Sequence, residues 1–257
     1  MAIQHNLGYP RIGDNRELKF ALERFWRAEM TEAELLSIAD DLKIKHWHAQ
    51  SHLDYVPVGD FSLYDQVLDM TVTLGALPQR VRQASGSAID QYFQMARGRS
   101  QQTSACQCTR AGEMLKWFNT NYHYIVPELS AETEFKLDPS RLIHDLNLAQ
   151  AHGIHAKPVI IGPLTYLAIS KATDDSELLD LLPKLITVYG QLLNTLKENG
   201  ASWVQIDEPI LTTDLSYDWQ RAFESTYNQL QSCQVSVLLT TYFGELRDNL
   251  RLALEKY

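Results

Sequence analysis

Apolar residues recur along the chain in two rhythms. Lys157-Pro-Val-Ile-Ile-Gly162 is a short apolar run with the pattern of a strand buried on both faces, Trp203-Val-Gln-Ile-Asp207 reads as a second buried strand, and Val235-Ser-Val-Leu-Leu-Thr-Thr241 as a third strand. Between them Leu185, Tyr189, Leu192 and Leu196 recur at helical spacing, with Pro183 near the start and Gly200 past the end. A further helical segment covers 217–231. Strand and helix alternating at this spacing predict parallel strands joined by right-handed crossovers.

The first half follows the same grammar less regularly. Ile3–Leu7 could open the sheet, Tyr55-Val-Pro-Val58 is a strand ending in Gly59-Asp60, and 121–126 is another. Helices are expected over 16–30, from Thr31 with a capping box closed by Glu34, over 65–74 and over 87–97. A polar loop covers 100–111. Six candidate strands in 257 residues suit the length of a (β/α)8 barrel, typically ~250 residues, yet do not close one. The chain stops at Tyr257, inside an expected sixth helix starting at Glu245. A doubly wound sheet is the competing architecture, but no Gly-x-Gly-x-x-Gly or Walker-type loop appears. The expectation is therefore an α/β fold, a TIM-type (β/α)8 barrel truncated after about six strands, as one incomplete domain over 1–257.

Charge narrows the function classes. Twenty-three Lys and Arg against 32 Asp and Glu give a net charge of −9, which leaves no broad basic face for nucleic acid. The N-terminus lacks the apolar core of a secretory signal, and the apolar stretch 158–169 is too short and too interrupted to span a bilayer. Three cysteines do not make a disulfide scaffold. These features predict a cytoplasmic, reduced protein with no nucleic-acid or membrane partner.

In parallel α/β proteins chemistry collects at the carboxyl ends of strands. After the first strand, Gly8-Tyr-Pro-Arg11-Ile-Gly13-Asp-Asn-Arg16-Glu-Leu-Lys19 runs into a helix start that Asp14 or Asn15 could cap. Arg11, Arg16 and Lys19 there could attract an anion, or simply form a solvated first turn. Acidic residues end three strands, at Asp60, Glu128 and Asp207-Glu208, either lining a cleft or capping helices. Around the third strand, alternation sends Asn119, Asn121 and His123 to one face, a set able to meet a heteroaromatic ligand or to form a buried network. Lys116 adds a cation there. Cys106-x-Cys108 and His46-x-His48 lack a second half at zinc spacing, so no metal site is expected. Trp26, Trp47, Phe61 and Tyr64 read as core.

Taken together, Leu7-Gly-Tyr-Pro-Arg-Ile-Gly13 with Arg16-Glu-Leu-Lys19, Pro57-Val-Gly-Asp-Phe61, Lys116-Trp-Phe-Asn-Thr-Asn-Tyr-His-Tyr124 and Trp203-Val-Gln-Ile-Asp-Glu-Pro209 resemble, in order, the N-terminal half of cobalamin-independent methionine synthase. The resemblance implies a methyltransferase carrying a methyl group from 5-methyltetrahydropteroyltri-L-glutamate to L-homocysteine. It implies two facing barrels, with zinc held only in a C-terminal barrel of the same polypeptide; no cofactor is expected in this chain. The segments also imply that Arg16, Glu17, Leu18, Lys19 and Lys116 anchor the folate polyglutamate, that no catalytic residue lies here, and that Asp207-Glu208 is a structural relic. The isolated chain is expected to be inactive. The competing readings are a barrel glycosidase using Asp60, Glu128 and Asp207 or Glu208, and an interaction module pairing free strand edges.

Overall fold

The structure, a computed structural model, describes residues 2–101 and 109–254. In chain order the elements are α1 (Glu17–Trp26), α2 (Glu32–Ala49), β1 (Val56–Val58), α3 (Gln66–Thr73), α4 (Gln79–Arg82), α5 (Ala88–Arg97), β2 (Met114–Lys116), β3 (His123–Ile125), β4 (Glu128–Leu129), α6 (Ser140–Ala151), β5 (Ala156–Ile161), α7 (Pro163–Ala168), β6 (Lys171–Ala172), α8 (Leu182–Glu198), β7 (Trp203–Asp207), α9 (Tyr217–Leu230), β8 (Ser236–Thr240) and α10 (Leu250–Leu254).

Four strands form one parallel sheet in the order β1-β5-β7-β8. The three apolar runs of the second half are β5, β7 and β8, as expected. Their register sets Ile161 beside Asp207 and Asp207 beside Thr240, so the carboxyl ends share one rim. Against the sheet lies α8, whose Leu185, Tyr189, Leu192 and Leu196 are all 0% exposed. Each buried side chain of this size contributes about 1.5–3 kcal/mol, so this stripe fixes α8 on the sheet. A second core forms among α1, α2, α3 and α5 around Leu18, Phe25, Leu35, Leu68 and Phe93.

The helix starts follow their caps. Thr31 Oγ1 accepts from Glu34 N while the Glu34 carboxylate accepts from Thr31 N, and Ser87 with Asp90 repeats the device on α5. Asp65 caps α3 through Val67 N and Leu68 N at 2.8 and 2.9 Å. Asp14 and Asn15 do not cap α1, which instead starts at Arg16 in the left-handed region, φ 62°, with no side-chain cap. The helix also ends at Trp26, short of Met30.

The sheet is open, and two of the six expected strands are not in it. Ile3–Leu7 contributes a single bridge, His5 to Tyr55, and Ile3 and Leu7 stay exposed because no neighbouring strand covers them. The segment 121–126 folds back as β3, antiparallel to β2. Its turn, with Phe118 at φ 50° and Thr120 Oγ1 bonded to Trp117 O, breaks the alternation over 119–122; the polar face expected there does not form. A small parallel pair, β4 with β6, stands apart. The expected helix from Glu245 begins only as a 3-10 turn at Arg247–Asn249 leading into α10. Among the described residues, no helix is long and apolar enough to cross a membrane.

Candidate functional site

At the carboxyl ends of β1, β5 and β7 the chain leaves a cleft of about 200 Å³. Gly59, in the left-handed region at φ 80°, turns the chain out of β1 where a Cβ would run into Leu142. That turn delivers Asp60 to the rim, where its Oδ2 accepts Tyr9 N at 2.8 Å and holds the Gly8-Tyr9 loop over the opening. Asp207, the last residue of β7, lines the opposite wall. Its Oδ1 accepts Gln205 Nε2 at 2.7 Å and its Oδ2 accepts the Tyr242 hydroxyl at 3.1 Å. Strand β5 lines the cleft over Val159, Ile160 and Ile161, and Met70 and the Arg141 guanidinium line it as well.

Desolvation dominates the electrostatics of this end of the sheet. It pushes the Asp60 carboxyl up to about 7 and that of Asp207 up to about 6, and hydrogen bonds to both only partly offset it. Beneath them Lys157, 2% exposed, donates to Gln205 Oε1 and Asn6 O and meets His5 Nδ1 at 3.1 Å. Burial brings its ammonium down to about 8. Behind Arg141 lie Asp69 and Asp145, each 3.7 Å from its Nη1, and Lys43 bonds Asp145 at 2.7 Å and Asp40 at 3.0 Å.

Glu208 points the other way from its neighbour. It is 0% exposed and accepts Leu164 N, Thr165 N and the Tyr227 hydroxyl at 3.1, 2.7 and 2.9 Å. It thus caps the start of α7, and Gly162 is required because any Cβ there would collide with this carboxyl. Burial nevertheless pushes Glu208 up to about 7. One strand-end carboxylate faces the cleft and the next secures a helix.

The expected anion-binding residues sit at the start of α1 and on β2. Arg16 is exposed at the start of α1, and Lys19, one turn on, sits 3.8 Å from Glu23. Glu17 fastens its own loop by accepting Asn15 N at 2.9 Å, and Leu18 is fully buried in the helical core. Lys116 is exposed on β2, opposite His123. None of these five residues lines the cleft, and Arg11 is used structurally, donating to Ser62 O. Nearby, Lys45 bonds Asp14 at 2.7 Å and approaches Glu17 at 3.9 Å, an arrangement with no signal in the sequence.

The remaining candidates separate. Glu128 is locked to both Nη atoms of Arg80 and lines a different cavity, so it cannot act with Asp60 or Asp207. His46 lies tilted against Tyr9 and Phe61, with ring centroids 4.8 and 6.3 Å away, and His48 meets His152 edge-on. Cys106 and Cys108 lie outside the described residues. The described residues do not fit a thiolate-held zinc: Cys233 is buried against Gly190 O. The ligand group Asp40, His144 and Asp145 already encloses the Lys43 ammonium. Sequence reading missed Arg141 and Lys43, because the carboxylates that give them meaning are distant along the chain.

Comparison with known proteins bears on the whole chain. A family model described as "Cobalamin-independent synthase, N-terminal domain" matches residues 3–256. The chain is 50% identical over 259 aligned positions to a 5-methyltetrahydropteroyltriglutamate–homocysteine methyltransferase of Saccharophagus degradans, which covers 98% of this chain and 34% of the relative. The chain therefore spans about a third of that relative's length. Among solved structures it is similar in fold to a B12-independent methionine synthase from Shewanella sp. W3-18-1, in complex with selenomethionine. The TM-score is 0.54 at 13% identity, covering 84% of this chain and 55% of that one.

Proposed function

This chain belongs to the cobalamin-independent synthase family, as its N-terminal domain, and from that premise we propose that it serves as the folate-anchoring part of a cytoplasmic methyltransferase. The reaction is transfer of a methyl group from 5-methyltetrahydropteroyltri-L-glutamate to L-homocysteine, giving methionine. The match across residues 3–256, together with 50% identity to a relative named for that reaction, carries the reading. The partner is a C-terminal barrel of the same polypeptide, which would hold zinc and homocysteine; the open sheet of this chain would be part of the N-terminal barrel, over 1–257.

What this chain contributes is charge and position. A triglutamate tail is a string of carboxylates, and charge-assisted hydrogen bonds from guanidinium and ammonium groups are the strong way to hold it. Arg16 and Lys19 are exposed at the opening turn of α1, where the positive end of the helix dipole adds to the attraction. Glu17 would act as the fastener that sets this turn, since a carboxylate repels the tail. Leu18 would act through its core packing, and Lys116 from the hairpin would take a further tail carboxylate.

Lys116→Ala and Lys19→Ala should weaken binding of the triglutamyl donor by about three- to tenfold and leave the monoglutamyl donor little changed. Titration calorimetry with both donors makes the comparison. Equal losses for the two donors would make these lysines structural and end the anchoring proposal. Glu23→Gln frees Lys19 from its ion pair and should leave donor binding unchanged or slightly tighter.

A further inference from the structure

Left to itself, the opening turn of α1 is poorly charged for an acidic ligand. Over 14–19 the chain reads Asp14-Asn-Arg16-Glu17-Leu-Lys19, two carboxylates against two cations, so the turn carries no net charge. Its backbone donors are partly taken as well, because the Glu17 carboxylate folds back onto them. Glu17 Oε2 accepts Asn15 N at 2.9 Å, and the N–H of Glu17 itself adds to that hold. Gly13, at φ 84°, leaves room for this, since a Cβ there would collide with Glu17 Oε2 and press on Leu42 of α2. A polyanion approaching the turn therefore meets Asp14 and Glu17 as well as Arg16 and Lys19.

The balance is tipped from α2. Lys45 lies three residues beyond Leu42, and both face the turn. Its Nζ donates to Asp14 Oδ2 at 2.7 Å and stands 3.9 Å from Glu17 Oε1. The hydrogen bond and charge of Lys45 hold Asp14 below the usual carboxylate range, and Asp14 raises Lys45 in return. One ammonium thus answers both carboxylates that would repel a tail. Lys19 is only loosely engaged, 3.8 Å from Glu23, and among the described residues Arg16 is in no ion pair. Exposed pairs of this kind add little to stability. Their effect falls on the field that a charged ligand meets.

Taking the anchoring role of this turn as given, we propose that Lys45 is a positioning residue for the acidic tail of the methyl donor. It neutralises Asp14 and Glu17 and ties their loop to α2, which leaves Arg16 and Lys19 to meet the tail carboxylates. Lys45 acts through the turn and does not itself touch the donor.

Titration calorimetry on the 257-residue chain, with triglutamyl and monoglutamyl donors at low and high salt, tests this. Lys45→Met should weaken the triglutamyl donor by about two- to fivefold at low salt and leave the monoglutamyl donor little changed. The difference should fade at high salt, and Lys45→Arg should restore the parent affinity. Asp14→Asn keeps an acceptor for Lys45 while removing a charge, so it should tighten the triglutamyl donor. Combined with Lys45→Met, it should bring the affinity back towards that of the parent. Equal losses for the two donors, losses indifferent to salt, or no rescue by arginine would overturn the proposal. If Lys19→Ala and Lys116→Ala fail to distinguish the donors, or the unaltered chain binds neither, the anchoring role falls and the role of Lys45 with it. If they distinguish the donors and Lys45→Met does not, only the role of Lys45 falls. Should Lys45→Met not fold, Asp14→Asn, whose expected effect has the opposite sign, decides the matter.

Discussion

Glu208 ties the rim of the sheet to α7, and replacing it with glutamine separates hydrogen bonding from ionisation. The folded carboxyl is raised from 4.5 to about 7, mainly by burial. Between those values the folded state holds a proton that the unfolded chain has released. Stability therefore falls as pH climbs from about 5 to 7, and the loss is complete by about pH 8. A difference of 2.5 units at about 1.4 kcal/mol each gives about 3 kcal/mol. Glutamine has no proton to lose, so this component disappears in Glu208→Gln. The amide, however, can accept at only one of its two terminal atoms. Turning its NH2 toward Leu164 N leaves that donor unmatched at about 1–3 kcal/mol, independent of pH.

The variant should thus be less stable than the parent at pH 5, and equal to it or more stable at pH 8. Urea unfolding followed by circular dichroism at the two pH values measures both gaps. Asp60, Asp65 and Asp207 titrate in both proteins and cancel in the comparison. A gap that is the same at pH 5 and pH 8, or wider at pH 8, would refute the reasoning.

Other perturbations probe the same framework. Lys43→Met removes the ammonium from Asp145, which is 0% exposed, and should cost about 3–5 kcal/mol in urea unfolding. Adding Asp145→Asn should recover part of that loss. Thr31→Ala deletes one half of the capping box on α2 and should cost about 1 kcal/mol by the same assay. Gly162→Ala drives a methyl into the Glu208 carboxyl and should lower stability by about 1–3 kcal/mol. That loss should be smaller in a Glu208→Ala background, where the collision is gone.

Much of this fold could be read from the chain, and the parts that could not share a cause. Strands β5 and β7 announced themselves because strands covered on both faces must be nearly apolar throughout. Strand β8 carries a similar apolar run although it lies at the sheet edge, with Ser236 exposed and the next three residues half-buried. The helices α2, α3 and α5 carried their own caps in Thr31, Asp65 and Ser87. By contrast α6, with Pro139 before it and no side-chain cap, gave no start signal. The hairpin partner β2 was invisible because Met114 and Leu115 remain exposed, so no burial rhythm marks them. At the site, the opposed directions of Asp207 and Glu208 follow from strand geometry. The pairing of Lys43 with Asp145 spans 102 positions, and no local pattern encodes it.

The residues before the first helix are joined to the sheet by side chains far more than by strand pairing. Gln4 N meets Asp54, Asn6 O meets Lys157, Leu7 O meets Gln205 and Tyr9 N meets Asp60. Removing the first nine residues would therefore do more than shorten a tail. It would take one hydrogen-bond partner from each of Lys157, Gln205 and Asp60 while leaving the Lys157–Gln205–Asp207 chain in place. Any shortened form of this protein should keep its opening residues.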